Sequence, residues 1–118
     1  MGAHTDLDAV MTPVATARGL PNEHYVSDQM FVEERNAVLF KSWSGIGFAK
    51  DVPEPGDAKP IDFLGMPLVM IRDKTGELGV FQNTCRHRGM ILIDEAKKIE
   101  GAIRCPYHSW CYARNGDL

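Results

Sequence analysis

The sequence predicts a mainly β domain preceded by one α-helix. Short apolar runs separated by Gly-bearing turns fill most of the chain after residue 44, which is typical of antiparallel strands. Before them, residues 27–44 carry apolar side chains at helical spacing, with acidic residues early and a lysine late. The chain has 118 residues, 44% hydrophobic and 25% charged, which suits one small globular domain.

Residues 1–26 are predicted to be a lead-in segment without a core of its own. They are small and polar, and Pro13 and Pro21 interrupt them. The isolated histidines His4 and His24 are expected to be exposed to solvent.

Residues 27–44 are predicted to form the N-terminal helix. Ser27 or Asp28 can cap its first turn. Leu39 and Trp43 are four apart, so they lie on one face of a helix, and that face can be buried.

Residues 45–118 are predicted to contain the strands. The first is Gly45–Ala49, whose glycines allow close backbone approach. A Pro-Glu-Pro-Gly turn follows at 53–56. Further apolar runs are predicted as strands at 59–64, 68–72, 78–82 and 102–104.

Two short arms carry the candidate ligands. Cys85 and His87 form a C-x-H arm, and after seventeen intervening residues Cys105 and His108 form a C-x-x-H arm. Thiolates and imidazoles are ligands for zinc or iron. Two of each can close a tetrahedral zinc site or hold a [2Fe–2S] cluster, with the cysteines on one iron and the histidines on the other.

The order of the ligands favours the cluster. Zinc fingers usually pair cysteine with cysteine and histidine with histidine. Here each arm supplies one of each, so each arm can reach both irons. We therefore predict Cys85 and Cys105 on the inner iron and His87 and His108 on the outer iron, with a structural zinc module as the less favoured interpretation.

Segments 85–90 and 105–112, with the turn at 53–56, resemble the N-terminal part of Rieske non-haem iron ring-hydroxylating oxygenase α subunits. The resemblance runs from about Tyr25 to Leu118. It implies a Rieske-type antiparallel β-sandwich over 45–118. Ser109 stands where the family usually has glycine, and Cys111 stands where it usually has a hydroxyl residue.

The resemblance also implies a function. In this family a reductase or ferredoxin reduces the Rieske cluster. Electrons then reach a mononuclear non-haem Fe(II) that activates O2 to hydroxylate an aromatic or quaternary-ammonium substrate. That iron belongs to a further domain, so the chain is predicted to be a C-terminally incomplete fragment of an oxidoreductase that does not turn over alone. The alternative is a stand-alone Rieske ferredoxin, which would not need the N-terminal helix.

Several partners follow from the same resemblance. Neighbouring α subunits are expected, as a trimer in the full-length protein. Arg86 and Arg88 flank His87 and can dock an acidic ferredoxin or contact a neighbouring subunit, or can simply be solvated. Tyr107 and Trp110 are expected to form walls of the cluster pocket.

Charge and composition exclude other classes. The net charge of −3 gives no electrostatic case for nucleic acid or an anionic membrane surface. No apolar run has the length of a membrane span, and the N-terminus lacks a secretory pattern. Of three cysteines, Cys111 has no obvious disulfide partner, so the cytoplasm is the expected compartment.

Overall fold

Two units make up the computed structural model, which describes residues 7–118. The division between them falls between Ser44 and Gly45. The first six residues of the predicted lead-in, with His4, lie outside the described residues.

The first unit is helical. Helix α1 spans Glu23–Val26 and α2 spans Asp28–Ala37. Ser27 caps α2 because its hydroxyl accepts a hydrogen bond from the backbone N–H of Met30 at 3.4 Å. His24, expected to be exposed, is half-buried.

Helix α2 is shorter than predicted. It ends at Ala37, whereas the predicted helix runs to residue 44. The β-branched Val38 leaves the helical region at φ −120°, and the chain continues as a 3₁₀ turn over Leu39–Lys41. The expected apolar face of the helix is not buried, since neither α1 nor α2 contains a buried residue.

The second unit contains two antiparallel sheets. Strands β1 (Asp57–Phe63), β2 (Met66–Arg72), β3 (Leu78–Gln82) and β4 (Lys97–Lys98) form a sheet in the order β3-β2-β1-β4. Strands β5 (Ile103–Arg104) and β6 (Cys111–Tyr112) form a two-stranded sheet. The prediction of a mainly β, antiparallel domain after an N-terminal helix is therefore confirmed.

The predicted strand Gly45–Ala49 is wrong. A 3₁₀ turn over Ala49–Asp51 takes up the backbone there, and the Asp51 carboxylate accepts the N–H of Phe48 at 3.3 Å. Close approach does occur at Gly47, where a Cβ would lie 2.8 Å from the side chain of Met70.

Arg72 fixes this irregular segment to the end of β2. Its guanidinium donates to the carbonyl oxygens of Val52 at 2.6 Å and of Ala49 at 3.0 Å. It also donates to the carbonyl of Gly76 in the β2–β3 turn at 2.8 Å. One side chain thereby satisfies three carbonyl groups that no strand partner reaches.

The core of the second unit lies directly beneath the ligand arms. It is formed by buried side chains from β1, β2, β5, β6 and the segments beside them: Ala58, Val69, Ile71, Cys85, Leu92, Ile93, Ile103, Cys105 and Tyr112. Both candidate ligand cysteines are thus part of the core itself. Within residues 7–118, no helix combines the length and apolar character needed to cross a membrane.

Candidate metal centre

The two ligand arms fold into loops with the same backbone hydrogen bonds. In loop one (residues 85–90), the N–H of Cys85 donates to the carbonyl of Met90 at 2.7 Å, and that of Gly89 donates to the carbonyl of Cys85 at 2.8 Å. In loop two (residues 105–110), the corresponding distances are 2.8 Å from Cys105 to Trp110 and 3.0 Å from Ser109 to Cys105. Each loop is a tight turn that begins at its cysteine.

A buried asparagine closes the base of loop one. The Asn83 amide donates to the carbonyl of Ile93 at 2.6 Å and accepts the N–H of Ile93 at 2.9 Å. An isolated β-bridge between Thr84 and Ile91 adds to this closure. Loop two needs no such clamp because β5 and β6 pair directly on either side of it, with Arg104 opposite Cys111.

The two loops also share an unusual backbone conformation. Gly89 has φ +70° and Ser109, at the equivalent position, has φ +61°. Glycine adopts this left-handed region freely, whereas serine does so at a cost. The serine that stands in place of the usual glycine therefore keeps the loop geometry.

The four predicted ligands are sorted by burial. Cys85 and Cys105 are each 2% exposed, belong to the same buried core cluster and form no disulfide. His87 and His108 are exposed, and their ring centroids lie 4.9 Å apart. The structure thus brings the thiols together below and the imidazoles together at the surface.

This arrangement fits a two-iron cluster. A Rieske cluster takes two thiolates on one iron and two imidazoles on the other, so its ligands come as two pairs. The buried pair of thiols and the exposed pair of imidazoles match that donor set.

Tyr112 contacts the buried thiol of Cys85, and sequence reasoning missed this contact. Its phenol oxygen accepts the backbone N–H of Arg86 at 2.9 Å and lies 3.2 Å from the sulfur of Cys85. Either group can donate while Cys85 is a thiol, but the phenol O–H is the donor once Cys85 is a thiolate, because a thiolate has no proton to donate. This hydrogen bond lowers the pKa of the Cys85 thiol, and the same bond raises the pKa of Tyr112.

Aromatic rings flank both imidazoles. Trp110 is stacked on His87, with ring centroids 4.9 Å apart and an interplanar angle of 6°. Tyr107 lies against His108 at 3.8 Å with a tilt of 36°. Both aromatic residues therefore line the histidine pair, as expected for wall residues.

Charged and reactive groups surround this face. Arg86 and Arg88 are exposed, and neither guanidinium has an ion-pair partner among residues 7–118. Cys111 is exposed and its thiol donates to the carbonyl of Ser109 at 3.3 Å, away from the two buried cysteines. It takes no part in the paired donor set.

Known proteins share this domain. The profile of the Rieske [2Fe-2S] domain family matches residues 42–118. A carnitine monooxygenase oxygenase subunit from Acinetobacter baumannii is 35% identical over 98 residues, covering 83% of this chain and 26% of the relative. A glycine betaine monooxygenase oxygenase subunit from Chromohalobacter salexigens is 30% identical over 99 residues, covering 84% of this chain and 22% of the relative.

Solved structures agree with the fold. A quaternary ammonium Rieske monooxygenase in complex with gamma-butyrobetaine aligns with a TM-score of 0.79 at 34% identity, covering 86% of this chain and 29% of that chain. Naphthalene 1,2-dioxygenase from Rhodococcus sp. aligns with a TM-score of 0.73 at 28% identity, covering 82% of this chain and 22% of that chain. The chain spans about a quarter of the length of the curated relatives named above. Since the family profile matches more than half of its residues, the chain belongs to the Rieske [2Fe-2S] domain family.

Proposed function

We propose that the chain is the electron-transfer domain of a Rieske oxygenase α subunit, with Cys85 and Cys105 as ligands of the inner iron and His87 and His108 as ligands of the outer iron. The sorting of these side chains into a buried thiol pair and an exposed imidazole pair carries the proposal. A bound [2Fe–2S] cluster supplies one-electron redox chemistry.

The residues around the proposed cluster control its access to water and to partner proteins. Burial keeps water from the two sulfur ligands, and the Tyr112 hydroxyl can donate a hydrogen bond to the Cys85 thiolate. The imidazoles of His87 and His108 face solvent, where a partner protein can approach them. Hydrogen bonds to sulfur and solvent exposure are the features that tune such a centre.

The oxygenase is favoured over a stand-alone ferredoxin by the extent of the similarity. The family profile covers residues 42–118, which is 77 positions, whereas the similarity to the carnitine monooxygenase subunit covers 98 residues. The match therefore continues into the helical unit that precedes the Rieske domain. A ferredoxin that only carries electrons has no need of that unit.

The activity of the parent protein is proposed on the same basis. The relatives are named for carnitine, glycine betaine and salicylate oxidation. We propose that the parent protein hydroxylates a quaternary-ammonium or aromatic substrate at a mononuclear non-haem iron outside this chain.

Two partners are proposed for the imidazole face. One is an acidic reductase or ferredoxin, because the exposed guanidinium groups of Arg86 and Arg88 flank His87. The other is a neighbouring α subunit, in a trimer of the full-length protein; one structural neighbour is described in terms of inter-subunit electron transfer. The cytoplasm is the proposed compartment, where the thiols of Cys85, Cys105 and Cys111 stay reduced.

Cysteine substitutions test the ligand assignment. Iron and sulfide analysis of the 118-residue chain should return two of each per chain. Cys105→Ser should abolish cluster assembly because it removes a ligand from the inner iron. Cys111→Ser is the matched control, since this cysteine is exposed and outside the donor set, and its visible spectrum should equal that of the parent chain.

Two results would contradict the proposal. One zinc per chain without iron would favour the structural zinc module. Bleaching by Cys111→Ser as complete as that by Cys105→Ser would show that the ligands are assigned wrongly.

A further inference from the structure

Trp110 joins the two ligand loops through an aromatic stack. Its indole comes from loop two and lies parallel to the imidazole of His87 in loop one, at 4.9 Å and 6°. A backbone hydrogen bond within loop two holds the tryptophan in place, because the Trp110 carbonyl accepts the N–H of Cys105 at 2.8 Å. Loop two thus supplies both its own ligands and a flat surface for a ligand of loop one.

The second imidazole has a different environment. His108 contacts Tyr107, its neighbour in the same loop, with a tilt of 36°. The Tyr107 side chain is also more exposed than that of Trp110, at 57% against 37%. Only the His87 contact is therefore both parallel and made between loops.

An aromatic stack can orient a ligand. Metal-binding histidines are usually oriented by a hydrogen bond from the second ring nitrogen to a carboxylate, carbonyl or water. Within the described residues, no protein group makes a hydrogen bond to either ring nitrogen of His87. Two rings lie against the imidazole: His108 is tilted by 66°, and the Trp110 indole is parallel to it. Parallel aromatic stacking favours one relative orientation of two rings over others.

We propose that Trp110 is a positioning residue for His87. The indole fixes the plane of the imidazole and covers one of its faces, so that His87 presents its ligating nitrogen in a single orientation. This inference rests on the proposed function, since it takes His87 as a ligand of the outer iron.

Three variants of the 118-residue chain test the proposal. Trp110→Leu removes the flat ring and keeps an apolar side chain. Trp110→Phe keeps a smaller flat ring. Tyr107→Leu is the matched control, because it removes the aromatic neighbour of the other imidazole.

The measurement is spectroscopic. Each chain is supplied with iron and sulfide, reduced with dithionite and examined by continuous-wave and pulsed electron paramagnetic resonance. The parent chain should show two sets of ¹⁴N couplings, one for each histidine. Trp110→Leu should change one set of couplings and broaden the resonance lines. In Trp110→Phe the couplings and the line widths should both be closer to those of the unsubstituted chain. Tyr107→Leu should leave the set affected by Trp110→Leu unchanged.

Each contrary result has a defined meaning. The positioning role would be overturned if Trp110→Leu kept the couplings and line widths of the unsubstituted chain. It would also be overturned if the couplings changed equally in Trp110→Leu and Trp110→Phe, or equally in Tyr107→Leu and Trp110→Leu. Trp110→Leu can lose the cluster while its circular dichroism is unchanged, and then Trp110→Phe decides. A Trp110→Phe chain that holds the cluster with the couplings of the unsubstituted chain supports the positioning role. A Trp110→Phe chain that loses the cluster, or shows altered couplings, would overturn that role. A parent chain that takes up no iron and sulfide would overturn the proposed function itself, and the inference with it.

Discussion

At the scale of single residues, Tyr112 is the contact with the most direct influence on the centre. Its hydroxyl oxygen accepts the N–H of Arg86 and lies 3.2 Å from the sulfur of Cys85, to which the O–H donates when that sulfur is a thiolate. A donated hydrogen bond withdraws negative charge from a thiolate ligand and stabilises the more negative, reduced cluster.

Tyr112→Phe should therefore lower the reduction potential. The expected change is on the order of tens of millivolts, given that ~59 mV corresponds to a tenfold change in a one-electron equilibrium. A redox titration followed by visible absorption measures it. Tyr107→Phe is the control, since Tyr107 is 57% exposed and, within residues 7–118, its hydroxyl makes no hydrogen bond to a sulfur. Equal potentials for Tyr112→Phe and the parent chain would show that the contact does not tune the cluster.

Spacing along the chain identifies the candidate ligands, whose role stays a prediction, but it does not reveal the contact of Tyr112 with Cys85. Cys85, His87, Cys105 and His108 stand out because each arm repeats a short Cys–His pattern. The contact of Tyr112 depends instead on the pairing of β5 with β6, which places it opposite Ile103. Register between two short strands is a tertiary property, and no short pattern in the chain specifies it.

At the scale of elements, the ligand loops differ in how well residue type matches backbone conformation. The left-handed conformation of Ser109 costs an L-residue roughly 1–2 kcal/mol relative to the right-handed one. Glycine relieves that cost but loses about 0.5–1 kcal/mol through its greater freedom in the unfolded chain.

Ser109→Gly should thus raise the free energy of unfolding by about 0.5–1 kcal/mol, and Gly89→Ser should lower it by a similar amount. Urea unfolding followed by circular dichroism measures both. Ser42→Gly is a matched control at φ −119°, where glycine brings only the entropic cost. A loss of stability in Ser109→Gly equal to that in Ser42→Gly would contradict the argument.

Element boundaries were less predictable than element types. The runs at 68–72 and 78–82 became β2 and β3. Strand β2 buries Val69, Met70 and Ile71, whereas β3 pairs with β2 and packs Phe81 against the core. The helix prediction failed beyond Ala37, and the strand prediction failed at 45–49. At both places the chain forms a short 3₁₀ turn, one at Leu39–Lys41 and one at Ala49–Asp51. Such turns depend on local backbone contacts, which hydrophobic periodicity does not detect.

At the scale of the whole molecule, the 118-residue chain should accept an electron without hydroxylating any substrate. The family resemblance assigns O2 activation to a mononuclear iron held by two histidines and a carboxylate. Apart from the proposed cluster ligands, the chain has only His4 and His24, which are far apart in sequence. We expect reduction by dithionite, seen as bleaching of the visible spectrum, and no product.

Mass spectrometry checks this expectation. The iron-loaded chain is incubated with reductant, O2 and a panel of aromatic and betaine-type substrates, after free iron is removed. Cys85→Ser, treated in the same way, is the control for chemistry by adventitious iron. Product from the parent chain but not from Cys85→Ser would identify a complete catalyst.

The shared backbone of the two ligand loops has a consequence for redesign. Superposing the loops by their hydrogen bonds places His87 on Tyr107 and Arg88 on His108. The histidine is therefore the third residue of one loop and the fourth of the other, counted from the cysteine. One backbone template presents a histidine at either position, so the choice of ligand position is separable from the peptide scaffold that presents it.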